Sequence, residues 1–250
     1  MFTTFTLDLI DTTNNIPPAQ LEAIAEAMTW QAENDVQQEW GASAVMRTDT
    51  DVANVKPNEC AFVIKQTLPE APNAVGYHAT LPNGSPVAYF ALADCSSIST
   101  GDGSLSQCVS HEMCETLGDP GANQYALKSD GSTLQAKELC DRVQDGAYQA
   151  PNGVALSNFL LQAAFDPGAP GPYDKMGVLR TSEGRTSGGY EIDGTLTNVS
   201  QATGAARSKP TLALHATNPE SHRARTTHWS GRLARRQAKH QAAATATATP

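Results

Sequence analysis

The chain has 250 residues, is 40% hydrophobic and 17% charged, and carries a formal net charge of −9. That length supports one sizeable core, or one domain plus a tail. No apolar run is long enough to cross a bilayer, and the opening MFTTFTLDLIDTTNN has neither a basic region nor a small-residue cleavage site, so the reading excludes a membrane span and expects no signal peptide. The five cysteines form no C-x-x-C pair. They read as reduced thiols rather than a disulfide framework or a Cys-rich zinc site, which favours an intracellular chain.

Phe2–Ile10 alternates and carries Phe and Thr, the pattern of a first strand. Pro17 and Pro18 suit the first turn of a helix. Leu21, Ile24, Met28, Ala32, Val36 and Trp40 then recur at three- and four-residue spacing, and Gly41 sits where a C-terminal cap belongs. Strands follow at Ala42–Arg47, Cys60–Thr67 and Val75–Leu81. Asn83-Gly84 is a hairpin turn with Val87–Leu92 as its return strand. A second helix opens at Ser104, an N-cap after the turn-like Thr100–Gly103. Tyr125–Lys128 and Val154–Phe165 are apolar segments of undecided type, and Asp166–Asp193 is Gly- and Pro-rich and reads as ordered loop. The expected fold class is α+β: a mixed sheet, an N-terminal helix, a second helix carrying the chemistry, and a loop-rich C-terminal half.

Charge divides the chain. Residues 205–250 hold eight cations, among them Arg223, Arg225, Arg235 and Arg236, against the single acid Glu220, a net of +7 that leaves −16 on the remainder. The segment ends in QAAATATATP and has few large apolar residues, so it cannot bury enough surface to offset its ordering entropy. The boundary is expected near Gly204, with a globular domain over 1–204 and a basic, disordered tail over 205–250. Such a tail is a solvated extension, or an arm that contacts an acidic partner or nucleic acid.

The helix at 104–120, SLSQCVSHEMCETLGDP, carries the chemistry. At about 100° per residue, Leu105, Val109, Met113 and Leu117 share one arc, and Cys108, His111, Glu112 and Glu115 share the adjoining one. His111 and Glu115 are one turn apart and can grip one ion. Glu112 lies beside them, where it could hold a water against that ion and take its proton. Cys108 and Cys114 read as small packing residues. The bland alternative is a polar helix face with a local charge pair.

His111-Glu112-Met113-Cys114-Glu115 resembles the H-E-x-x-H helix of zincin metallopeptidases, with Glu in place of the second His. The preceding strand and helix order is also similar to a zincin core. In addition, the segments GYH (76–78), SHEMCETLGDP (110–120), ELCDRVQD (138–145), LSNFLLQAAFDP (156–167) and GGY (188–190) resemble a group of uncharacterised phage and bacterial proteins. The zincin likeness implies one divalent metal, zinc first, held by His111, Glu115 and a third group, with Glu112 as general base and a peptide or protein as substrate. The phage likeness implies a cytoplasmic or virion-associated place.

The body has only two histidines, His78 and His111, so a three-His site on it is impossible. Two anionic ligands would hold a dication well but leave it less electrophilic, and would admit Mn or Mg more readily. Asp119 lies about 12 Å along the axis from His111 if the helix persists, and serves only if the chain turns back at Gly118. Glu138 and Asp141 can approach from the side. By the resemblance, Glu138 is the third ligand, and Asp141 is a partner that orients the His111 ring. Asp119, Asp141 and His78 remain alternatives, with His78 read first as a core or edge-strand histidine. Two functions compete: a metal-dependent hydrolase, and a catalytically inactive structural or binding protein of the same shape, such as a virion component.

Overall fold

The computed structural model describes residues 3–195, apart from Asn73 and Pro82. The expected boundary near Gly204 and the basic segment 205–250 lie outside the described residues. The fold is α+β. Strands β1 (Thr3–Asp11), β2 (Ala42–Asp49), β3 (Glu59–Lys65), β4 (Gly76–Thr80) and β5 (Pro86–Ala91) form one mixed sheet in the order β2-β1-β3-β5-β4. The first four in that order run parallel to their neighbours, and β4 returns antiparallel along β5 as the edge strand.

The crossover between β1 and β2 is α1 (Pro18–Gln31), which continues through a wider turn at Ala32–Val36 into α2 (Gln37–Trp40). The sequence pattern reads as one unbroken helix. The structure keeps its apolar stripe, with Ile24, Met28, Ala32 and Val36 fully buried, but inserts a residue into the hydrogen-bond ladder. Gly41 ends α2 in the left-handed region at φ 73°.

Alternation decides which face of the sheet is covered. Leu7 and Leu9, Ala44 and Met46, Phe62 and Ile64, and Ala88 and Phe90 join one core with Ile24 and Met28 of α1 and Val109 and Met113 of α3 (Leu105–Gly118). Cross-strand register carries that row to the edge: Leu9 sits opposite Phe62, Phe62 opposite Ala88, and Ala88 opposite His78. His78 therefore belongs to the face that α3 covers.

The wheel reading gives α3 one apolar and one polar side. In the structure every residue from Leu105 to Leu117 is buried, because α3 packs on β4, β5, α1 and a later strand, β9. Its polar side chains are met by partners. The Ser104 hydroxyl caps the helix by accepting from the Gln107 N–H at 3.3 Å. Ser110 donates to Gln31 Oε1 at 2.7 Å and accepts from the Ser157 N–H at 2.8 Å. The Gln107 amide donates to the Gln144 carbonyl at 3.2 Å.

The undecided segments resolve into short strands. Antiparallel β6 (Tyr125–Leu127), β7 (Thr133–Ala136) and β10 (Asp193–Thr195) form one small sheet, and β8 (Ala147–Gln149) pairs with β9 (Ala155–Ser157) in another. From 166 to 192 the chain forms no helix or strand beyond a bridge between Leu160 and Asp174. The buried Asp174 carboxylate pins this loop by accepting from the N–H groups of Met176, Val178 and Leu179 and from the Asn158 amide. Among the described residues, no helix is long and apolar enough to cross a membrane.

Candidate metal centre

Three elements bring titratable groups into one buried pocket. Helix α3 supplies His111, Glu112 and Glu115, the edge strand β4 supplies His78, and the segment after β7 supplies Glu138 and Asp141. None of the six side chains is more than 8% exposed. Two close approaches hold the outer arms against α3. A Cβ at Gly76 would lie 2.9 Å from Cys108 Sγ, so only glycine lets β4 sit this near the helix. A Cβ at Gly189 would overlap the carbonyl of Arg142; the N–H of the next residue, Tyr190, donates to the Asp141 carbonyl at 3.0 Å and fixes that segment.

Five of the six groups fall into two trios that share Glu115. His111 Nε2 lies 3.2 Å from Glu115 Oε1 and 3.3 Å from Asp141 Oδ1. His78 Nδ1 lies 3.0 Å from Glu112 Oε2 and 3.2 Å from Glu115 Oε2. Within each trio the ligand atoms are mutually within 4.8 Å. Beyond them, His78 Nε2 faces Glu138 Oε2 at 3.9 Å.

Each nitrogen carries at most one proton yet faces two carboxylate oxygens. A single N–H cannot donate well to both. A cation placed among the three atoms can meet all of them. Bonds of about 2.1 Å put neighbouring ligand atoms roughly 3.0–3.4 Å apart in octahedral or tetrahedral sites, and the N–O separations of 3.0 to 3.3 Å match that spacing. The donor set, imidazole with carboxylates, suits Zn, Mn or a related dication. The described residues thus contain groups able to hold a divalent metal.

Electrostatics shows what an ion would have to replace. Burial pushes His111 toward neutrality, but the charge of Glu115 and the hydrogen bonds to Asp141 and Glu115 outweigh it and hold the imidazole well above its ordinary pKa. Burial likewise opposes ionised Glu115, and the charge of His111 with hydrogen bonds from both imidazoles keeps that carboxyl well below its ordinary range. Two imidazoles can supply at most two positive charges against four carboxylates. Arg142, next to Asp141, is turned away: its guanidinium donates to the carbonyls of Ser182 at 2.7 Å and Ala164 at 2.9 Å.

The structure sorts the expected residues. His111, Glu115 and Asp141 converge. Asp141, expected to orient the His111 ring and kept as an alternative ligand, meets that ring at 3.3 Å, while Glu138, the expected third ligand, lies 3.9 Å from His78 Nε2. Asp141 opens a short helical turn, Asp141–Val143, and the Tyr190 N–H and Gly189 hold that turn from some fifty residues on. Asp119 does not join either trio; it ends α3 and accepts from the Gln124 N–H at 2.6 Å. His78, read as a core or edge-strand histidine, is at the centre of the pocket. The signal was the hairpin register, which sets His78 opposite Ala88 on the helix-covered face. All five cysteines are free, and burial pushes the thiols of Cys108 and Cys140 well up, so they stay protonated packing groups.

Comparison of the chain with family models, with curated proteins and with solved structures gave no match. The reading of the site therefore stands on its own residues.

Proposed function

We propose that the protein is a divalent-metal-dependent hydrolase that acts on peptide bonds in the manner of zincin metallopeptidases. The observation that carries this reading is the convergence of His111 Nε2, Glu115 Oε1 and Asp141 Oδ1 in a buried pocket with Glu112 beside them. These three residues hold the ion, zinc first. When bound, it makes a neighbouring water acidic enough to ionise near neutral pH. Glu112 takes the proton of that water and returns it to the leaving amine. His78 steadies Glu112 through the 3.0 Å contact of its Nδ1 with Oε2. His111, Glu112 and Glu138 keep 5 to 7% exposure where His78, Glu115 and Asp141 keep 1 to 2%. The peptide class is supported by β4, a terminal strand beside Glu112, since an edge strand can take an extended peptide as one more strand. Two anionic ligands temper the Lewis acidity of the ion, so turnover is expected to be slow.

The test is hydrolysis of a fluorogenic peptide library by the metal-loaded protein. Glu112→Gln is expected to keep the ion at His111 and lose at least roughly 100-fold in rate, whereas His111→Ala loses both ion and activity. Hydrolysis unchanged in Glu112→Gln would contradict the assignment. One observation favours a second reading. The pocket is nearly closed, and structural metal sites are closed where catalytic ones keep an open position. A metal that raises the melting temperature with no hydrolysis in any variant identifies a structural or binding protein instead.

A further inference from the structure

From the second trio we infer that the pocket holds two divalent cations, bridged by Glu115, rather than one. This rests on the metal-dependent reading above. Glu115 points its two oxygens at different imidazoles: Oε1 at His111 Nε2, 3.2 Å away, and Oε2 at His78 Nδ1, 3.2 Å away. A carboxylate arranged this way links two ions, one to each oxygen, and such pairs sit about 3.5–4 Å apart. The second ion takes His78 Nδ1, Glu112 Oε2 and Glu115 Oε2 as its ligands.

Three features separate this from a plain hydrogen-bonded histidine. First, Glu112 and Glu115 both reach the same ring nitrogen, at 3.0 and 3.2 Å, although one N–H satisfies only one of them. Second, the opposite nitrogen of His78 faces the Glu138 carboxylate at 3.9 Å. Metal-bound imidazoles commonly carry their remaining proton toward a carboxylate on that side. At 3.9 Å this contact is longer than a hydrogen bond, so Glu138 stands near His78 Nε2 as a charge and not as a bonded partner. Third, a single dication leaves four carboxylates only half compensated when both imidazoles are neutral ligands. Two dications balance them. A carboxylate-rich set with one imidazole per ion suits Mn or Zn in both positions. Glu112 would then hold the second ion through Oε2 in place of its direct contact with His78, leaving its other oxygen, Oε1, to take the proton of the water.

The experiment uses the full chain, stripped with a chelator, reloaded with Mn²⁺ and freed of excess ion. Metal per chain is measured, and electron paramagnetic resonance reports whether the ions are coupled. Two Mn²⁺ per chain with an exchange-coupled signal are expected. His78→Gln and Glu112→Gln should each retain one ion and show an uncoupled signal, while Glu115→Gln loses the coupled pair. One ion per chain in the unaltered protein, uncoupled and retained in His78→Gln, overturns the second site and leaves the hydrolase reading standing. No bound ion overturns both. The signal of the unaltered chain decides the matter even if a variant fails to fold.

Discussion

Glu115 is the residue on which the pocket turns, because it faces both imidazoles. Its ionised form is stabilised by them, and His111 is held protonated in return. The signs follow. His111, with its folded pKa raised, contributes stability that is complete below the ordinary imidazole value of about 6.5 and is lost as pH climbs through the folded value. Glu115, with its folded pKa lowered, contributes stability that is present above its ordinary value of about 4.3 and is lost as pH falls through the folded value. The chelated protein is therefore expected to melt lower as pH rises above the ordinary imidazole value of about 6.5 and through the raised folded value. Metal must displace the His111 proton, so its stabilising effect grows over the same range. Thermal unfolding of chelated and loaded protein across these pH values checks this, and a metal effect that shrinks with rising pH contradicts it. At about 100 times Kd a bound ion adds roughly 2.7 kcal/mol, which for a domain of this size raises Tm by roughly 5–10 °C.

At the scale of elements, the site exists because β4 and the 138–142 segment are clamped onto α3. Gly189 is the clamp most open to test. Gly189→Ala forces a side chain into the Arg142 carbonyl, so we expect a cost of roughly 1–3 kcal/mol together with weaker metal binding, since Asp141 moves with its neighbour. Denaturant unfolding and metal titration of the variant measure the two effects; an unchanged denaturation midpoint sinks the account of the clamp. Much of this architecture was legible. Alternation in the first strand, short apolar runs and the Asn83-Gly84 turn marked all five strands of the main sheet within two residues, and Pro18, Gly41 and Ser104 marked helix ends. The pairing of His111 with Glu115 followed from helical spacing alone. What stayed hidden depended on long-range contact. No local pattern says that Asp141 meets His111, since Asp141 opens a turn, Asp141–Val143, whose aim is set by Tyr190 and Gly189 some fifty residues on. The place of His78 is fixed by register, opposite Ala88, but a lone histidine on a strand carries no local sign of what packs against it. The all-round burial of α3 was hidden because β9, which helps complete its cover, is only three residues long.

For the whole molecule, charge is the dominant feature. Residues 205–250 carry +7 against −16 on the rest of the chain, so salt-sensitive contact with polyanions is the expected property of that segment. Deleting it should abolish any salt-dependent retention on heparin or DNA, and retention that survives the deletion would place the contact elsewhere. Within the described residues, negative charge is concentrated where it is least solvated, around His78 and His111. A buried excess of carboxylates is costly unless a cation compensates it, and that cost is the reason to expect metal at all. The most direct measurement is calorimetric titration of the chelated full chain with Zn²⁺, beside Glu115→Gln treated identically. Saturable uptake by the unaltered protein, abolished in a Glu115→Gln variant that keeps its circular dichroism spectrum, is the predicted result. A folded, chelated protein that takes up no Zn²⁺, or a Glu115→Gln variant that binds it as well, would contradict the claim that this pocket is a metal centre.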